Sequence, residues 1–243
     1  MPLAKRRMFG MKIPASVPET PTYNISFHHG ANTLKWKYIC QRRLALEREL
    51  GKNALECEQI MELINEAKLR RSVSSFCNCY EMLVKEFIVN IPKDYDNPLS
   101  SEYMKVFFRG KCAEFSSEII NRFLGRSEEE HVEVEITDND ICKEITANQV
   151  KKWPVKGKLA PSKLSVKYVV LHKIGDANWV PTNHISTIAA RLGRFIYIVE
   201  TKTNFNFGSY VFEQTMKHDQ TSSIKMPIAF PSLICAIFQN QHP

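Results

Sequence analysis

Apolar residues recur at helical spacing along most of this chain and alternate at strand spacing in only a few short stretches. Leu34 to Arg71 is rich in Leu, Glu, Arg, Lys and Ala, all good helix formers, and Gly51 and Asn53 divide it into two predicted helices. The second carries Ile60, Ile64 and Ala67 on one face. Phe76, Tyr80, Leu83, Val84, Phe87 and Ile91 then follow a helical template that Pro92 closes. The runs VFF and CAEF flank Arg109-Gly110-Lys111 and predict a β-hairpin near residues 105–115. Ser116 or Ser117 caps the helix that follows, with Ile119, Ile120, Phe123 and Leu124 as its buried face. Gly125 fits the left-handed position just past its end.

Further on, VEVEI reads equally as a short strand or a solvated loop. A helix through Ile141 and Ile145 is expected to run to Trp153-Pro154. Leu164, Tyr168, Leu171 and Ile174 form the next helical face, and Asp176-Ala177-Asn178 is expected to turn the chain. Thr182 is the expected N-cap of the most regular helix, through Ile185, Ile188, Ala189, Leu192, Ile196 and Val199. A loop over Thr201 to Gly208, a short helix with Phe212 and Met216, and a helix opened by Pro231 complete the pattern. The fold class is therefore mainly α, an irregular domain of about eight helices with one short hairpin. Residues 1–33 are aperiodic and basic and read as a flexible tail, with 34–243 as the domain. Leu233, Ile234, Ile237 and Phe238 sit just before the last residue and call for an apolar partner, which points to a truncated C-terminus.

Composition changes this picture little. Apolar residues make up 44% and charged residues 24% of 243, which suits a globular chain with a real core. Charge is more informative: residues 1–78 carry 13 basic and 7 acidic groups, 79–150 carry 8 and 15, and 151–243 carry 12 and 4. A uniformly nucleic-acid-coating protein would not be laid out this way. The longest mainly apolar run, IAFPSLICAIF, contains a Pro and falls short of the ~20 residues of a spanning helix. The N-terminus lacks an apolar signal region, so nucleus or cytoplasm is the expected location. Lys5-Arg6-Arg7 reads as solvated tail rather than import signal. Seven Cys without a framework read as free thiols.

Candidate chemistry is sparse. Cys77-Asn78-Cys79 has no second pair, and His28-His29 falls in the tail, so no metal site is expected. There is no phosphate-binding glycine loop and no G-x-S-x-G, and neither a catalytic residue nor a cofactor is assigned. Asp138, Asp140 and Glu144 are the carboxylates a two-metal nuclease would use, but their place at a helix start suits capping better. Lys151, Lys152, Lys156, Lys158, Lys163 and Lys167, with Trp153 interleaved, form a candidate nucleic-acid-binding stretch: lysines neutralise phosphates and an aromatic stacks a base. The alternative for this stretch is a solvated basic linker.

Several segments together resemble the putative plant transposon protein domain. They are Val84-Lys85-Glu86-Phe87 with Asn90-Ile91, Val106 to Lys111, Phe115-Ser116, Ile119-Ile120-Asn121 and Leu124-Gly125. Pro181-Thr182-Asn183-His184, Asn206-Phe207-Gly208 and Phe230 to Ile234 continue the match, which covers roughly residues 40–243. The C-terminal stretch is similar to the envelope-like proteins of plant LTR retrotransposons. Gly125-Arg126 departs from the family's Leu-Gly-Leu, and 127–160 matches only diffusely. The resemblance implies a retroelement-derived protein, non-catalytic and acting in assembly or binding. Its partners would be other retroelement proteins or nucleic acid, and a divergent transposase or nuclease is the rival. It carries over no catalytic residue. Its signature positions Arg109, Gly110, Phe115, Pro181, Thr182, His184, Gly208, Phe230 and Pro231 read as structure: a turn, core aromatics, helix starts. The chain shows no signal or anchor; either those parts lie outside this fragment or, the favoured reading, "envelope-like" describes gene position.

Overall fold

The structure, a computed structural model, describes residues 24–74, 76–126, 136–154, 159–180 and 187–243. Their helices are α1 (Asn32–Ile39), α2 (Lys52–Leu55), α3 (Glu58–Glu66), α4 (Glu81–Val89) and α5 (Ser117–Leu124). Then come α6 (Asp138–Ile145), α7 (Val166–Asn178), α8 (Ala190–Glu200), α9 (Phe207–Gln220) and α10 (Pro231–Gln241). Strands β1 (Lys105–Phe108) and β2 (Lys111–Glu114) pair antiparallel between α4 and α5. The fold is mainly α with one hairpin, as the periodicity predicts, with ten α-helices among the described residues rather than about eight.

The core is built around α4, whose Val84, Phe87, Ile88 and Val89 are fully buried. Phe87 stacks obliquely on Phe238 of α10 at 4.6 Å and meets Phe115 edge-on at 5.1 Å. A second aromatic group, Phe195, Phe205, Phe207, Tyr210 and Phe230, joins α8, α9 and the start of α10. The hairpin closes through Arg109 (φ 50°) and Gly110 (φ 70°), with Phe108 opposite Lys111. Two left-handed residues match the right-handed twist of the strands, which explains the glycine. Ser116 caps α5 by accepting from the Ile119 N–H, and Gly125 ends it at φ 74°.

Several boundaries differ from the sequence reading, each for a tertiary reason. Residues 40–50 are not helical: Leu44 bridges Ile228, and the Ala45 N–H donates to the Ile228 carbonyl at 2.7 Å. The α4 helix begins at Glu81, not Phe76, and Tyr80 is exposed, so its place in the apolar period was coincidental. Helix α6 stops at Ile145 because Ala147 and Asn148 adopt positive φ. Asp176-Ala177-Asn178 stays helical. The Asn178 side chain receives the Arg48 N–H at 2.9 Å and donates back to the Arg48 carbonyl at 3.0 Å. Helix α8 starts only at Ala190, since Ile188 pairs with Leu159. Helix α9 is 14 residues long, not short.

Leu233, Ile234, Ile237 and Phe238 find their partner inside the chain, where all four are buried. The VEVEI run, Lys5-Arg6-Arg7, and the Thr182 cap with Ile185 lie outside the described residues, apart from Ile136. Asn24–Thr33 lies against the domain, with Asn32 buried and Ile25 and Phe27 packed on the core. Among the described residues no helix is long and apolar enough to cross a membrane.

Candidate functional site

The signature segments meet one another in space. Asn206 caps α9, its Oδ1 accepting from the Ser209 N–H at 2.7 Å and from Asn121 Nδ2 at 2.9 Å. Asn121 Oδ1 in turn accepts the Gly208 N–H at 3.0 Å, so α5 and α9 satisfy each other's polar groups. Glu86, fully buried on α4, reaches the hairpin turn: its Oε1 accepts the Arg109 N–H at 3.0 Å. Arg109 Nε lies 2.9 Å from Oε2 but off the hydrogen-bonding direction, so that contact is an ion pair only. Phe115 and Phe230 are core residues, and Pro231 opens α10. Pro181, Thr182 and His184 lie outside the described residues.

A concavity of about 1030 Å³ runs between residues 43–48, one side of α7 and α9, and the 226–229 segment. Buried polar groups beneath it form a second set of ties. Arg42 is fully buried; its Nε donates to the Met226 carbonyl at 2.8 Å and its Nη1 to the His218 carbonyl at 2.9 Å. Arg42 Nη2 also faces His218 Nδ1, while His218 Nε2 accepts the Ala229 N–H at 2.9 Å. Burial, reinforced by the adjacent guanidinium, pushes the His218 imidazole down to about 3, so it is neutral at physiological pH. Burial likewise lowers His172 on the groove wall. Gln214 accepts from Arg191 at 3.3 Å, but its buried Nε2 has no partner among the described residues. A groove of this kind is the default place to look for a ligand. Of its two histidines, His218 is held in bonds within the fold.

Comparison with known proteins gives the family. The model of the family described as "Putative plant retrotransposon-related domain" matches residues 65–243. The chain belongs to this family. No curated protein and no solved structure matches it significantly. The match begins in the last turn of α3. The described residues before it are still part of the same core, through Trp36, Ile39 and Ile60.

Within this retrotransposon-related domain the candidate lysines are scattered in their circumstances. Lys151, Lys152 and Lys163 are exposed and form no ion pair with a described residue. Lys167 is paired with Glu200. Lys156 and Lys158 lie outside the described residues. Trp153 packs its ring on Gly193, where a Cβ would come within 2.4 Å of Cη2, so the ring serves the α8 contact.

The rival carboxylates do not converge. Asp138 pairs with Arg194 at 2.8 Å, and Asp140 pairs with Lys143 at 2.7 Å and bonds the capping Thr137. Glu144 is exposed further along α6, and the three form no ligand cluster among the described residues. All seven cysteines are free.

Sequence patterns gave no hint of Arg42, Glu47 or His218, because each acts through a partner more than 170 residues away. Glu47 Oε2 accepts the Ser232 N–H at 2.6 Å, at the start of α10. Burial raises its carboxyl to about 7, against the Ser232 hydrogen bonds that pull it down. A raised carboxyl contributes stability below the unfolded value of about 4.5, and that contribution fades as pH rises through 7. Glu47→Gln keeps the acceptor and removes the charge. It should therefore be more stable than wild type at pH 8, by on the order of 1–3 kcal/mol, and equal to it near pH 4.5. Urea unfolding at the two pH values checks this.

Proposed function

We propose that this retrotransposon-related domain is a non-catalytic structural or interaction module of a retroelement product, whose partners are other products of the same element. The observation that carries the proposal is how the signature's polar side chains are used. Glu86, Asn121 and Asn206 are spent on internal bonds, and none is aimed into the groove. Residues kept for chemistry would present lone pairs or protons to a substrate. The likeness of the C-terminal stretch to envelope-like products favours an open reading frame of that class. The experiment is incubation of the purified chain with supercoiled and linear DNA in Mg²⁺ or Mn²⁺. The expected result is no cleavage or strand transfer above background. Cleavage abolished by Asp138→Asn, Asp140→Asn or Glu144→Gln would overturn the reading.

One observation favours a second reading, nucleic-acid binding through the basic stretch: Lys151, Lys152 and Lys163 are exposed and unpaired with described acids. Binding of this kind weakens steeply with salt. The triple change to Gln should flatten the log–log salt slope by about 2 to 3 if each lysine meets one phosphate. Filter binding across a salt series measures it, and salt-insensitive binding would remove the reading.

A further inference from the structure

We propose that His28, His29 and Glu102 form a surface site for a divalent transition metal ion, Zn²⁺ in the first instance. The two histidines and the glutamate are more than 70 residues apart in sequence, yet both imidazoles converge on one carboxylate. His28 Nε2 lies 2.6 Å from Glu102 Oε1, and His29 Nε2 lies 3.1 Å from Oε2. The three ligand atoms all fall within 4.8 Å of one another. Two neutral imidazoles and one carboxylate are a donor set that suits zinc, with water completing a tetrahedron. Bonds of about 2.0–2.1 Å set tetrahedral ligand atoms roughly 3.3 Å apart, so the cluster needs only a small side-chain opening to admit the ion.

The site is built, not merely gathered. Asn90, fully buried at the end of α4, holds the histidine turn from below. Its Oδ1 accepts the His28 N–H and Asn32 Nδ2, both at 3.0 Å, and its Nδ2 donates to the Ser26 carbonyl at 2.6 Å. The His28 ring stacks on Phe107 of β1 at 4.4 Å and 18°, which fixes its plane. The Glu102 N–H donates to Ser100 Oγ at 3.2 Å. Support of this kind beneath the ligands is what orients a metal site. A bound ion would pin residues 24–31 to the 99–104 loop and the hairpin.

The test is zinc titration of the tag-free, chelator-stripped full chain against a chromophoric competitor, in parallel with thiol-alkylated protein. The expected result is one equivalent bound with Kd below about 10 µM, unaffected by alkylation. His29→Ala and Glu102→Ala should each weaken binding at least about tenfold, and the His28→Ala/His29→Ala pair should abolish it. Co²⁺ in place of Zn²⁺ should give visible tetrahedral d–d bands, lost in the same variants. Circular dichroism confirms that each variant is folded. His29 is half-exposed with its ring bonded to Glu102, so its variant keeps the test sound if Glu102→Ala misfolds. Three results would overturn the site: no stoichiometric binding, binding unchanged in the folded double variant, or binding that disappears on alkylation.

Discussion

Replacing Arg42 by Ala should cost about 3–5 kcal/mol of folding stability, read as a large drop in the urea midpoint at pH 7. The guanidinium is wholly buried and supplies donors to the Met226 and His218 carbonyls. Truncation leaves these acceptors without partners and opens a cavity beneath the groove. Arg42→Lys should rescue little, because one ammonium cannot span acceptors on two segments in the geometry of the planar fork. The same tie sets an acid limit. His218 falls from about 6.5 in the unfolded chain to about 3 when folded, so the unfolded state binds the extra proton between those values. The stability it contributes is complete above about 6.5 and is lost progressively as pH falls toward 3, on the order of 4 kcal/mol in all. His218→Gln should be less stable than wild type at pH 7 yet show a flatter decline below pH 6.5. Urea titrations from pH 4 to 8 measure both. An unchanged acid slope in His218→Gln would contradict the assignment.

Gly208→Ala should be nearly as damaging, at about 3 kcal/mol or more. The added Cβ would sit 2.5 Å from the Ser117 carbonyl oxygen and 2.6 Å from the Asn121 side chain. The first obstacle is backbone and cannot swing aside. Relief requires α5 and α9 to separate, which also breaks the 3.0 Å bond from Gly208 N–H to Asn121. Gly51 offers the control: nothing lies within 4 Å of a Cβ there, so Gly51→Ala should be close to neutral. Thermal or urea unfolding distinguishes them, and equal midpoints would show that the α5–α9 contact is looser than described.

What the sequence disclosed and what it hid divide along a physical line. Local chemistry was legible. Gly110 in the turn, Ser116 as cap, Gly125 as left-handed terminator and Pro231 at a helix start each act within a few residues. So was the apolar periodicity of α7, whose Tyr168, Leu171 and Ile174 are buried. Helix limits were missed where a distant partner decides them. Residues 42–45 favour helix by composition but are drawn out by Ile228, and Ile188 is taken from the helical pattern by Leu159. The functional reading suffered in the same way. The basic stretch is visible in one dimension, but its Trp153 is occupied by Gly193 and its Lys167 by Glu200. His28-His29 looked idle because Glu102, their shared partner, is brought to them only by the fold.

The central claim is that the signature's polar residues hold the domain together rather than act on a substrate. Urea midpoints of Glu86→Gln, Asn121→Ala and Gly208→Ala, set beside Asp138→Asn, Asp140→Asn and Glu144→Gln, test it most directly. The account predicts that each of the first three loses about 1 kcal/mol or more, while the exposed carboxylate variants stay within about 1 kcal/mol of wild type. Wild-type midpoints for the signature variants would contradict it.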